Sequence, residues 1–180
     1  MKRRITNILI LLALFCLSIA NNVYAESASR EYLIKAAFIY NFAKFVEWPD
    51  KAFAGKETPI TLCILGRDPF GKAIESIRGE MIRGRRLVIK VAEELEDLGK
   101  CHILFVSRSE KMELDRIFAW IERWNVLTVA AMRGFAEEGG IINFFTSGKK
   151  TRFEINISAA ERAGLKISSR LLRLAVIITD

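Results

Sequence analysis

The first strong helical signal runs from Glu31 to Trp48, EYLIKAAFIYNFAKFVEW. The pattern predicts a helix of about 16 residues stopped by Pro49, which cannot continue the backbone ladder and disfavours α geometry at Trp48. At about 100° per residue, Glu31, Lys35, Asn41, Lys44 and Glu47 fall at scattered angles. Leu33, Ile34, Phe38, Ile39, Phe42, Phe45 and Val46 occupy nearly every other direction. A helix apolar all round is buried in a core or covered by a partner. This one is expected to place one face on a sheet and another on more protein.

Downstream the pattern alternates between short apolar runs and segments of 3–4 periodicity. Ile60–Leu65 is a near-continuous apolar run after Pro59, as expected of a strand buried on both faces. Asp68 is placed to cap a helix opening at Pro69 and carrying Phe70, Ala73, Ile74 and Ile77 to about Gly79. Arg86–Val91 and Cys101–Val106 read as the second and third strands, with a short acidic helix or turn at Glu93–Leu98 between them. Ser107-Arg108-Ser109-Glu110 has the S-x-x-E form of a capping box. It opens a helix with Met112, Leu114, Ile117, Phe118 and Ile121 inward and Glu113, Asp115, Arg116 and Glu122 outward. Val126–Ala130 is the fourth strand. Strand and helix in alternation predict an α/β fold, a mostly parallel central sheet with helices on both faces.

After Gly139-Gly140 the rhythm changes. Ile141–Thr146 and Thr151–Ile157 flank Ser147-Gly148-Lys149-Lys150 and predict an antiparallel hairpin. In its second strand Phe153, Ile155 and Ile157 share one face; Arg152, Glu154 and Asn156 share the other. Ser158 can cap a short helix to Ala163, with Gly164 after its end. A last helix starts near Ser168 or Ser169 and carries Leu171, Leu172, Leu174 and Ala175.

Composition adds a boundary. Lys2, Arg3 and Arg4 precede an apolar stretch, Ile8–Ala20, and Val23-Tyr24-Ala25 supplies small residues at −3 and −1. This predicts a signal peptide at 1–25 cleaved after Ala25, ahead of a single domain at 26–180. A retained anchor is the alternative, against which the run falls short of the ~20 residues a span needs. The full chain carries +7; cleavage leaves 25 basic residues against 21 acidic. That mild excess comes with no nucleic-acid motif, so no nucleic-acid partner is expected. Cys63 and Cys101 remain, and in an oxidising compartment two thiols most simply form one disulfide. Cys63 lies in the first strand and Cys101 opens the third, and these strands can be neighbours in a doubly wound sheet.

Three blocks together carry a resemblance: KAAFIYNFAKFVEWP (Lys35–Pro49), ILGRDPFG (Ile64–Gly71), and RFEIN (Arg152–Asn156) with AGLKISSRLLRLA (Ala163–Ala175). With the double glycine before the hairpin, the chain resembles the YfiR family over about residues 30–178. The resemblance implies a periplasmic protein without catalysis. Its partner would be the periplasmic domain of an inner-membrane diguanylate cyclase, held inactive to control cyclic-di-GMP signalling. It implies a second partner, an OmpA/Pal-like outer-membrane lipoprotein that sequesters the repressor, and admits a homodimer. A chain ending at Asp180 without a kinase or cyclase module resembles the free-standing form. Cys63 and Cys101 sit where one family disulfide would. The second pair, expected near the hairpin, has no counterpart, since Phe144, Phe145 and their neighbours include no Cys.

The residues offer little to an enzyme. His102 is the single histidine and lies in a strand expected to be buried. No ligand cluster suits a metal, no G-x-S-x-G elbow accompanies Ser168-Ser169, and Gly66–Gly71 lacks the phosphate-loop pattern. No catalytic residue, cofactor or metal is expected. Two function classes remain. One is a repressor that docks on its target through Phe42, Phe45 and Trp48, with Arg170 and Arg173 as a polar rim. The other is a periplasmic small-ligand sensor, with Arg152 and Glu154, joined by Arg170, as a weak ligand site. Surface ion pairing is the plainer reading of those three charges. Trp48, Trp120 and Trp124 have the residue type of interface anchors, and the core edge is their plainer place.

Overall fold

The computed structural model describes residues 29–148 and 150–179. The signal peptide expected at residues 1–25 lies outside the described residues. Helix α1 spans 29–45. Its inward stripe is Lys35, Ala36, Ile39, Phe42 and Ala43, whereas Leu33 and Ile34 are 47% and 42% exposed. The expectation of a helix covered all round is therefore corrected: one face is buried, and the polar residues only look scattered because Lys35 sits within the inward stripe. Lys35 is accommodated by a 2.6 Å ion pair to Glu31 and by the Tyr32 ring 4.5 Å away. The helix also stops earlier than Pro49 alone dictates. Strand β1, Val46–Glu47, pairs antiparallel with β9, Lys166–Ile167. Ser168 N–H donates to the Phe45 carbonyl at 2.9 Å, so the chain leaves the helix to meet a strand.

Among the described residues the main sheet has eight strands. In chain order they are β2 (Ile60–Leu65), β3 (Met81–Ile82), β4 (Arg85–Ala92), β5 (Ile103–Val106), β6 (Leu127–Ala130), β7 (Ile142–Ser147), β8 (Lys150–Asn156) and β10 (Val176–Ile178). Their spatial order is β10-β8-β7-β6-β5-β2-β4-β3. Strands β4, β2, β5, β6 and β7 are mutually parallel; β3 and β8 are antiparallel to their neighbours β4 and β7. The α/β class, the parallel centre and the C-terminal hairpin are as the sequence pattern predicts. All six residues of β2 are buried, which is why its pattern is continuous rather than alternating. Alternation along it still sorts the core into two layers. Leu62 and Ile64 join α1, Phe70, Ile74 and Phe105 on one face. Cys63 and Leu65 join Leu104, Leu114, Ile117 and Phe135 on the other.

Several helical expectations shrink. The Phe70–Gly79 region is a 3-10 helix, Gly71–Ile77, with Ala73, Ile74 and Ile77 buried as expected. Asp68 Oδ1 accepts from Phe70 N–H at 2.8 Å, an Asx turn rather than a helix cap. The Ser107–Glu110 capping box does not form. Ser107 makes no side-chain cap bond, and Arg108–Glu113 is 3-10 before α2, Leu114–Ile121. Met112, expected inward, is 91% exposed. The short helix α3, Ile157–Arg162, is capped by Asn156, whose Oδ1 accepts from Ala159 N–H, and not by Ser158. The last helix is only α4, Ser169–Leu172, with Ser168 Oγ as its cap; the chain then re-enters the sheet as β10.

The double glycine has a steric cause. Gly139 has φ 107°, and a Cβ on Gly140 would collide with the Phe135 ring. This lets the 131–140 segment fold back over β7 and β8. There Met132 N–H donates to Asn143 Oδ1 at 3.0 Å, and Asn156 Nδ2 donates to the Ala136 carbonyl at 2.8 Å.

Candidate functional site

The groups with chemical potential are engaged in structure. Cys63 and Cys101 form a disulfide with Cα atoms 5.8 Å apart. The pairing β2–β5 brings them together, within the range a disulfide requires. Both are buried. His102 Nδ1 accepts from Thr61 N–H at 3.1 Å, and Nε2 donates to the Ala52 carbonyl at 3.1 Å. Its carbonyl accepts from Trp48 Nε1 at 3.2 Å. The imidazole stacks on Phe53 with centroids 4.7 Å apart, and Arg85 lies 3.8 Å from the same Phe53 ring. Arg85 Nη1 also holds the loop carbonyls of Gly55, Lys56 and Thr58 at 2.7–2.9 Å. Burial first, and then the Arg85 charge, lower the His102 pKa against the raising effect of the Ala52 bond. His102 is a neutral structural peg for the 50–58 loop. Among the described residues no group of three or more His, Cys, Asp or Glu could hold a metal ion.

The predicted partner-binding residues separate. Phe42 is fully buried, 5.5 Å from the Phe144 ring and 4.8 Å from Phe153. It joins α1 to the hairpin and presents nothing to a partner. Phe45 and Trp48 are half-buried against the same core, and Trp48 is tied to His102. Arg170 on α4 and Arg173 at its C-terminal cap are exposed. The proposed Arg152–Glu154–Arg170 cluster does not assemble, since Glu154 Oε1 instead accepts from Asn143 Nδ2 at 2.8 Å. Trp120 packs at the core edge, and Trp124 is 42% exposed.

What the structure brings together at the hairpin and the C-terminal edge is a different set. Val176 pairs with Glu154, Ile177 with Ile155 and Ile178 with Asn156. Leu174, Val176 and Ile177 are 66%, 42% and 41% exposed. Arg152 lies two residues before Glu154 on β8, Arg170 and Arg173 precede Leu174 in the chain, and all three have exposed side chains without an ion pair among the described residues. Leu174, Val176 and Ile177 were not visible as a surface because Leu174 and Ala175 continue the 3–4 spacing of Leu171. The signal available was the β-branched run Val176-Ile177-Ile178, which favours a strand. Exposed apolar side chains with exposed arginines close by in the chain and the strand register suit recognition of protein.

A family model described as YfiR/HmsC-like matches residues 32–176. Among solved structures, a conserved domain protein from Vibrio cholerae O1 biovar El Tor is similar at 13% identity with a TM-score of 0.46. That match covers 67% of this chain and 54% of the other, so the likeness spans about half the solved chain. No curated protein matches the sequence. No helix among the described residues is long and apolar enough to cross a membrane.

Proposed function

The chain belongs to the YfiR/HmsC-like family, and from that membership we propose that it is a periplasmic regulatory protein that binds the periplasmic sensor region of an inner-membrane diguanylate cyclase and holds it inactive. A repressor of this kind needs no reaction of its own. It shifts its target only by binding the inactive conformation more tightly than the active one. The observation that carries the reading is the family match over residues 32–176. The exposed C-terminal surface of Leu174, Val176 and Ile177 with Arg152, Arg170 and Arg173 supplies the contact. Phe45 and Trp48 flank the separate β1–β9 ribbon and are the residues of the earlier expectation that retain some exposure. Sequestration by an OmpA/Pal-like lipoprotein would release the cyclase by competition for the same protein.

The test is cellular cyclic-di-GMP in a deletion strain and in strains carrying single variants, with melting temperatures measured alongside. Deletion is expected to raise cyclic-di-GMP, and Arg173→Glu to raise it without moving the melting temperature. Phe42→Asp is expected to raise it only by unfolding the domain, because it buries a charge among rings. Unchanged cyclic-di-GMP on deletion, with the gene expressed, refutes the reading.

A further inference from the structure

The two edges of the eight-stranded sheet are finished differently. At the β4 edge the outward backbone is occupied. Leu87 N–H donates to the Glu80 carbonyl at 2.8 Å, and Gly79 N–H donates to the Leu87 carbonyl at 2.9 Å. Arg78 Nη1 donates to the Ile89 carbonyl at 3.3 Å and is itself fixed by Glu75. The short β3 and the exposed Lys90 complete that edge. These are ordinary devices against strand addition. The β10 edge, itself only three residues long, lacks the others. Among the described residues no side chain, and no backbone group beyond the β8 ladder, bonds to Val176–Ile178. The run Leu174–Thr179 contains no charge, no proline and no glycine.

We infer that β10 is a docking edge, which takes up one added strand from an extended, acidic segment of the partner protein. An unpaired strand edge is complemented by another strand, because only a strand offers its N–H and C=O groups at matching intervals. The charge around the edge selects the sign. Arg152 stands two residues from Glu154 on β8, and Arg170 on α4 and Arg173 at its C-terminal cap precede β10. None of the three side chains has an ion pair among the described residues. A second copy of this chain would bring the same arginines to the junction, whereas an acidic segment neutralises them. The inference rests on the regulatory reading above and gives its mode of contact.

The experiment uses the mature protein in cells that also carry the membrane cyclase. A photo-crosslinking amino acid is placed singly at Val176, at Ile178 and, as a control on the closed edge, at Val91. Adducts are mapped by mass spectrometry. The expected adducts join 176 and 178 to sites two residues apart in one Asp/Glu-rich segment of the cyclase's periplasmic region, the advance an added strand produces. Arg170→Glu with Arg173→Glu is expected to cut adduct yield at least tenfold with an unchanged melting temperature. Adducts to a second copy of this chain, to a basic or helical segment, or equally from Val91 overturn the inference. No adduct while a membrane pull-down still recovers the cyclase overturns it and leaves the regulatory reading standing. Adducts to an acidic extended segment of a protein that is not a cyclase keep the inference and overturn that reading. No adduct and no recovered cyclase overturns both.

Discussion

The half of the sheet around β2 and the half around β8 are held by different means. The β4–β2–β5 half is bolted: the Cys63–Cys101 disulfide joins β2 to the entry of β5, and the Arg85–Phe53–His102 stack pins the preceding loop across it. The β7–β8–β10 half depends on the Phe38, Phe42, Phe144 and Phe153 ring cluster beneath it, and its last strand is paired on one side only. The difference teaches where stability is concentrated and where the proposed docking edge lies. Residues that brace the first half should cost stability when changed; residues on the β10 edge should cost partner binding instead.

The largest break in that contrast is the disulfide. With a sequence separation of 38, its removal is expected to cost about 4 kcal/mol in the chain-entropy account. Cys63→Ala with Cys101→Ala should therefore lower the melting temperature by about 8–16 °C in a thermal melt, matching the wild type under reductant. A shift of only a degree or two would show that the first half is not held there. Next is Arg85→Ala, which frees three loop carbonyls and the Phe53 face. The expected loss is ~1–3 kcal/mol, read by denaturant unfolding, with faster amide exchange confined to residues 50–58.

A finer probe is pH. The folded-state pKa of His102 is lowered by burial from its ordinary 6.5. The unfolded chain therefore takes up the proton first, and stability is present above about pH 6.5 and is lost as pH falls below it. Melting temperatures at pH 7.5 and 5.5 should differ in that direction, and the His102→Gln variant should show a flatter profile from a lower starting point. An equal slope in the variant would assign the pH dependence elsewhere. The smallest stability effect is expected from Ile177→Lys, within about 0.5 kcal/mol as for a surface change, although cyclic-di-GMP should rise. A large melting shift from this variant would mean that β10 braces the domain.

The parallel centre and the hairpin were legible because burial on both faces leaves unbroken apolar runs, as at Ile60–Leu65, and because Gly148 with polar neighbours marks a turn. The disulfide followed from strand adjacency. What was not legible depends on contacts distant in sequence. Val46–Glu47 leaves the helix only because Lys166–Ile167 is there to pair with. Ser107 satisfies a capping box in sequence, but its hydroxyl is buried without a partner among the described residues, as the chain tightens into 3-10 geometry. The β10 surface was hard to read for a similar reason. Phe42 stood out by residue type, yet an aromatic residue on an inward stripe is core, whereas the edge strand was hidden behind the leucine spacing of α4. The family resemblance, carried by three sequence blocks, agrees with the family match over residues 32–176, and those blocks name no surface.

The open β10 edge has a consequence for the protein when no partner is present. Leu174–Ile178 is a short, charge-free, β-branched segment of the kind that nucleates cross-β assembly. Parallel sheets also assemble slowly from distant pairings, so such a segment stays exposed through much of folding. Arg173 and Arg170, immediately upstream, then act as gatekeepers: stacked copies would bring their like charges into register. Neutralising both arginines should convert the overproduced protein from soluble to aggregated before it changes the stability of the fold, so the charges that would greet a partner also keep the solitary chain in solution.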